Sequence, residues 1–292
     1  QDGKQVAVLV PTTILASQHA QSFAKRLNAF PVRIEVVSRF RSAAEIKQTL
    51  KDVADGKVDV LIGTHRLLSK DVVFKDLGLL IVDEEQRFGV SAKEKLRSLR
   101  VNVDTLTLTA TPIPRTLQFS LLGARDLSII ATPPPNRQPI VTEIHTFDKD
   151  LIRDAIIYET SRGGQVFFVH NRVQSIFETA DVLQGILPDT RFRVAHGQMK
   201  GSELEAVMEA FENKEFDVLI STSIVENGVD ISNANTIIID RASGFGLSEL
   251  HQLRGRVGRS DRKAFCYLLV PTIHGLTREG RARLQAVEEF SD

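Results

Sequence analysis

The chain has 292 residues, 42% hydrophobic and 25% charged, with 37 basic residues balanced by 37 acidic ones for a formal net charge of +0. That length suits two domains of ordinary size, and no apolar run approaches the roughly 20 residues that a membrane-spanning helix needs. Zero net charge excludes a global pull on polyanions, so any nucleic acid must be held by local clusters, chiefly of arginine. The single cysteine, Cys266, lies in the apolar run AFCYLLV. It cannot form an intrachain disulfide and reads as a buried structural thiol of a cytoplasmic protein. No signal-peptide pattern opens the sequence. Gln1 in place of an initiating methionine, and an amphipathic pattern still running at Asp292, lead us to expect a piece of a longer protein.

In chain order, residues 6–10 predict a strand, broken by Pro11, Thr12 and Thr13 ahead of a helical pattern reaching about Leu27. Residues 32–37 read as a second strand, 43–53 as a helix, and 58–62 as a third strand ending at Gly63, Thr64, His65 and Arg66. Residues 79–89, LLIVDEEQRFG, set four apolar residues directly before Asp83, Glu84, Glu85 and Gln86. Such a run suits a strand buried on both faces of a parallel sheet, and the carboxyl end of that strand is where open α/β sheets bind ligands. Adjacent carboxylates there can divide a task, Asp83 holding the magnesium of a nucleotide while Glu84 takes the proton of an attacking water. An ordinary turn or helix start is the other reading of the same acids. A charged helix near residues 92–99 and a strand at 105–110 follow, the latter running into TATPIPRT at 109–116.

Four prolines in TPPPNRQP, residues 132–139, mark a linker. Beyond it come strands at 165–169, ending at His170, Asn171 and Arg172, and at 192–195, ending at His196, Gly197 and Gln198. Further strands at 216–220, 236–239 and 264–270 follow, the first ending at Ser221, Thr222 and Ser223 and the second at Asp240. Strands alternating with helical stretches define an α/β fold with parallel sheets. VDVLIGT at 58–64 and FDVLIST at 216–222 echo each other, as a duplicated lobe would.

In QLRGRVGRS, residues 252–260, helical spacing puts Leu250, Leu253 and Val257 on one face and Gln252, Arg256 and Arg259 on another. Gly255 and Gly258 would each cost about 1 kcal/mol inside a helix, so a close approach to the backbone is expected there. Planar guanidinium groups suit a transferring phosphoryl group; a solvated basic face explains the arginines but not the glycines. STSIVENGVDI, residues 221–231, holds Gly228 and Asp230 in a loop suited to a ribose or phosphate, although such residues are also common turn formers. The other strand ends carry hydroxyls, amides and single cations: Thr12, Thr64, His65, Arg66, Thr111, Arg115, Asn171, Arg172, His196, Gln198 and Thr222. Each alone reads as a cap or turn residue. Together they predict a groove that tracks a phosphate backbone without reading bases.

DEEQ, TATPIPRT, STSIVENGVDI and QLRGRVGRS resemble motifs II, III, V and VI of superfamily 2 helicases and translocases, and VPTTILASQ at 10–18 resembles motif Ia. DEEQRFGV, TATPIPRTLQFSLLGARDLSII, HGQM and GLSELHQLRGRVGR, with Glu85 and SRF at 38–40, are similar to the translocase module of the bacterial transcription-repair coupling family, to which the RecG family is close. The resemblance implies two tandem RecA-like lobes, over residues 1–133 and 140–271, with a linker at 134–139 and the start of a translocation hairpin at 272–292. It implies ATP and Mg2+ as cofactors, double-stranded DNA as the track, and RNA polymerase and excision-repair proteins met through regions outside this sequence. It assigns magnesium to Asp83, hydrolysis to Glu84, the γ-phosphate to Arg256 and Arg259, and coupling between lobes to Gln252 and Asp230, with Gln86 and Gly228 completing the nucleotide set. No GxxxxGK[ST] loop occurs in the sequence, so the chain alone is predicted not to hydrolyse ATP appreciably while a longer protein does. A RecG-like remodeller of branched DNA and a nucleotide-independent DNA-binding module are the alternatives.

Overall fold

Runs of β-branched residues pair side by side in parallel, and helices return the chain to the same sheet end, as parallel pairing requires. The computed structural model describes residues 3–38, 41–99, 103–109, 126–130, 132, 138–223, 231, 233–259 and 261–289, in two units, Gln1–Ile129 and Ile130–Asp292. In the first, β1 (Gln5–Leu9), β2 (Ile34–Val37), β3 (Val60–Gly63), β4 (Leu77–Asp83) and β5 (Asp104–Leu108) form a parallel sheet in the order β2-β3-β1-β4-β5. Its helices are α1 (Thr13–Leu27), α2 (Ala43–Ala54) and α3 (Val90–Leu99). Thr12 caps α1 by accepting the Leu15 N–H, and Ser42 with Glu45 forms a reciprocal capping box on α2; both satisfy first-turn donors that a helix leaves open.

Alternation along the strands divides the core. Ala7, Leu9, Leu61, Leu80 and Val82 pack with Leu50 and Val53 of α2 and Leu96 of α3, while Val8, Val10 and Ile62 pack with Leu15 and Ala16 of α1. In β4, Leu80 and Val82 are fully buried, whereas Leu79 and Ile81 are partly buried.

The second unit holds β6 (Ile140–Thr146), β7 (Gln165–Val169), β8 (Phe192–Ala195), β9 (Val218–Ser221), β10 (Ala234–Ile239) and β11 (Ala264–Val270), paired in parallel in the order β6-β11-β10-β7-β9-β8. Its helices are α4 (Lys149–Ser161), α5 (Ile176–Ile186), α6 (Gly201–Glu212), α7 (Leu247–Arg254) and α8 (Arg278–Glu289). Sequence reasoning passed over β6, whose IVTEIHT follows the proline run; it is a sheet-edge strand with partly polar faces.

Taken from its other end, the second sheet reads β8-β9-β7-β10-β11, which matches β2-β3-β1-β4-β5 and leaves β6 as an added edge. The match extends to individual atoms. Gln5, the first residue of β1, donates its side-chain amide to the carbonyls of Val53 and Val58 at 2.9 and 2.8 Å. Gln165, the first residue of β7, donates to Phe211 and Phe216, both at 2.8 Å. In each case one carbonyl lies in the helix before the next strand and the other just ahead of that strand. Asp59 and Asp217, which begin the shared DVLI runs, accept the backbone N–H of Arg33 and Arg191 at 2.7 and 3.0 Å.

Candidate nucleotide and nucleic-acid sites

In the first lobe β4 ends on Asp83, and the chain then turns through Glu84 in a left-handed conformation, φ 50°, ψ 52°, into a 3-10 turn at Glu85–Arg87. That backbone costs a residue with a Cβ about 1–2 kcal/mol and persists where its surroundings fix it. Here the Glu84 N–H bonds the Leu108 carbonyl at the end of β5, 2.9 Å away. The three acids then diverge. Asp83 Oδ2 lies 3.4 Å from Nε2 of His19 in α1. Glu84 Oε2 accepts from Thr109 Oγ1 at 3.3 Å, and Glu85 Oε2 from Thr107 Oγ1 at 3.4 Å. The carboxylates of Asp83 and Glu84 are hard oxygen donors that fit magnesium, which binds through one or two carboxylates together with nucleotide phosphates and water. Among the described residues no three His, Cys, Asp or Glu side chains gather to hold a metal. The backbone of Gln86 lies within the 3-10 turn; its side chain falls outside the described residues.

Of the groove candidates in this lobe, Thr12 serves as the α1 cap and Thr64 is buried at the start of the 3-10 turn His65–Leu68. His65 is exposed. Arg66 meets Asp71 through two parallel hydrogen bonds of 2.7 and 2.6 Å. Those bonds raise the Arg66 guanidinium above its ordinary value and hold the Asp71 carboxyl below its own. Thr111 and Arg115 lie outside the described residues, as do Gly228 and Asp230 of the second lobe.

In the second lobe, buried His170 follows β7 with Nδ1 2.7 Å from Asp240 Oδ2, at the end of β10, and Nε2 2.8 Å from Ser175 Oγ. Asn171 Oδ1 accepts the Ser223 N–H at 3.4 Å, Thr222 is buried with its N–H on the Ala195 carbonyl, and Arg172 and Gln198 are exposed. The His196 ring stands edge-on to Phe177, centroids 5.8 Å apart. Asn171, Arg172, Thr222, His196 and Gln198 therefore share the carboxyl edge of one sheet, over the neighbouring strands β7, β9 and β8.

The helix expected to run through Arg259 stops at Arg254. Gly255 is its C-cap, and Gly258 has φ +73°, a left-handed conformation that continues no helix. A Cβ on Gly258 would sit 2.9 Å from Ile140 Cγ1, so the close neighbour anticipated from the glycines is the lobe's own β6. Leu250, Leu253 and Val257 are fully buried, as the spacing predicts. Arg256 and Arg259 lie beyond the helix, and each Nε donates back to its end, to Gln252 O at 3.1 Å and Gly255 O at 3.3 Å. Cations at that end also offset the helix dipole.

Sequence reasoning missed Arg254, whose neighbours in LRGRVGR look alike. It is 4% exposed, and its Nη1 donates to the Val287 carbonyl of α8 at 2.7 Å. Burial, and then Arg254, push His251 below the usual histidine range.

Paired acids close an interior parallel strand in one lobe, and arginines follow a capped helix in the other. Residues 1–119 match the DEAD/DEAH box helicase family and residues 148–261 the helicase conserved C-terminal domain, and the chain belongs to the superfamily 2 helicases with RecA-like lobes. Within them it is 55% identical over 291 residues to the transcription-repair-coupling factors of Staphylococcus haemolyticus and Staphylococcus aureus, and it spans about a quarter of their length, 25%. RecG bound to a three-way DNA junction superposes with a TM-score of 0.78 at 34% identity, over 99% of this chain and 38% of RecG. The Mycobacterium smegmatis helicase Lhr, solved with ssDNA and AMP-PNP, gives 0.76 at 17% identity over 99% of this chain and 42% of Lhr, a likeness of fold alone. Among the described residues no helix is long and apolar enough to cross a membrane.

Proposed function

We propose that the chain is the motor core of an ATP-driven double-stranded DNA translocase that acts on stalled RNA polymerase in transcription-coupled DNA repair. The observation that carries this reading is the 55% identity to transcription-repair-coupling factors across 291 residues, because every motif discussed above falls inside it. In this reading Asp83 holds magnesium and Glu84 orients and deprotonates the attacking water. Arg256 and Arg259 stabilise charge on the γ-phosphate, while Gln252 and Asp230 link nucleotide state to movement. Magnesium would arrive with ATP, held on the protein side by Asp83, and would supply positive charge that offsets the charge of the phosphates. Thr12, Thr64, His65, Arg66, Thr111, Arg115, Asn171, Arg172, His196, Gln198 and Thr222 serve the DNA backbone, which fits a track used without regard to sequence. RNA polymerase and excision-repair proteins are met through parts of a longer cytoplasmic protein.

The test is ATP hydrolysis by a chain extended upstream through a GxxxxGK[ST] loop. Strong stimulation by linear duplex, lost in both Glu84→Gln and Arg256→Ala, is the expected result; DNA binding without stimulation moves the assignment to a nucleotide-independent module. The 292-residue chain by itself is expected to show no turnover, and turnover abolished by Glu84→Gln overturns that part. The likeness to RecG on a three-way junction favours a second reading, remodelling of branched DNA. A preference for forks over linear duplex in the same assay selects it.

A further inference from the structure

The repeat between lobes continues past the strands into the loop that carries Glu84. Asp83 ends β4 and Asp240 follows β10; the next residues, Glu84 and Arg241, share the left-handed backbone, at φ 50°, ψ 52° and φ 52°, ψ 44°. Both lead into a three-residue 3-10 turn, Glu85–Arg87 and Ala242–Gly244. The turns close with matching bonds, Arg87 N–H to Glu84 O and Gly244 N–H to Arg241 O, both 2.9 Å, then Phe88 to Glu85 and Phe245 to Ala242, both 3.2 Å. Buried Phe88 and Phe245 anchor them, and α3 and α7 follow.

On this shared frame the charges are inverted. The first lobe presents two carboxylates, a donor set for a cation. In the second, Asp240 is engaged by His170 at 2.7 Å, and the Glu84 position is occupied by an exposed arginine whose side chain has no hydrogen bond or ion pair among the described residues. Among those residues the third non-glycine with positive φ, Lys214, has an ordinary origin, because it follows the C-cap of α6. Arg241 has no such origin. It stands at the carboxyl edge, on the strand beside β7, and extends the row made by Arg172, Asn171, Thr222 and His196 by one strand.

We propose that Arg241 binds a backbone phosphate of nucleic acid, at the position where the first lobe keeps its Glu84 carboxylate. The inference rests on the reading that the second lobe tracks a DNA backbone. It is tested on this chain by fluorescence anisotropy with a labelled duplex of arbitrary sequence over a series of KCl concentrations. Arg241→Ala and Arg241→Gly are each expected to weaken binding several-fold and to reduce the slope of log affinity against log salt by about 0.9, the loss of one phosphate contact. Glycine suits the left-handed backbone, so Arg241→Gly should unfold at a temperature no lower than the unsubstituted chain, which separates lost binding from lost folding. Arg172→Ala is the benchmark. A slope lowered by Arg172→Ala but unchanged by both Arg241 variants overturns the assignment of Arg241 alone. Slopes unchanged in all three variants, or no salt-dependent binding by the unsubstituted chain, overturn the groove reading as well. Competition identifies the source of the phosphate: unlabelled duplex should displace the label, and displacement by ATP that disappears in Arg241→Ala assigns the residue to a nucleotide and overturns the proposal.

Discussion

A guanidinium fork accepts a carboxylate and a phosphate in the same geometry, and Arg66 already holds a carboxylate, that of Asp71. A DNA phosphate reaching Arg66 must displace it. Asp71→Asn is therefore expected to tighten duplex binding at low salt and steepen its salt dependence, while Arg66→Ala weakens binding; the anisotropy titration reads both. The hydrogen bond from Arg66 depresses the Asp71 carboxyl, so the pair contributes fully above the unfolded value of about 3.9 and is lost as pH falls through the lower folded value. Carboxyl NMR should find the Asp71 midpoint below that of a model aspartate. Asp71 is 59% exposed, so salt screens the pair and its effect on stability is small. Cys266 behaves oppositely, since complete burial pushes its thiol up to about 12. It should resist iodoacetamide at pH 8 until the chain is unfolded, as mass spectrometry would show. The placing of Asp83 and Glu84 at a strand end was legible from sequence, because a buried run had to end somewhere polar. His19 was not, because its contact with Asp83 spans 64 residues of chain, and no local pattern encodes it.

Elements were legible where period and punctuation agreed. Thr12 and Ser42 stand directly before α1 and α2, and both cap. At the end of α7 they disagreed: Leu250, Leu253 and Val257 keep helical spacing, yet the last is already in the turn. A hydrophobic period reports which residues face the core, and a turn that folds back on the same core can keep it going. Gly258 was the better signal, and it carries a prediction. Gly258→Ala must adopt a left-handed backbone and press on Ile140 Cγ1 at 2.9 Å, so it should cost about 2 kcal/mol or more in urea unfolding. Gly255→Ala, at φ -66°, should cost much less. β6 was missed for the opposite reason, because a strand at a sheet edge need not be apolar enough to stand out.

At the scale of the molecule, two echoing heptapeptides disclosed a repeat that extends through strand order, aspartate clamps and the glutamines at the start of β1 and β7. The division between the two units falls between Ile129 and Ile130, ahead of the proline run, of which residues 133–137 lie outside those described. Gln5→Leu or Gln165→Leu would leave two buried carbonyls without their donor, at about 1–3 kcal/mol for each. Each substitution is expected to lower the unfolding midpoint of its own lobe, a difference that hydrogen exchange resolved by lobe can read. The glutamines also occupy matching places in their lobes. Both tie the amino end of an interior strand to the helix and turn that precede its neighbour in the sheet, while Glu84, Arg172, Thr222 and Arg241 follow strands at the opposite edge. Each sheet is thus tied at its amino rim by one buried side-chain amide, and the bonds that hold its carboxyl-edge loops, such as Glu84 N–H to the Leu108 carbonyl and His170 to Asp240, are made separately at the other rim.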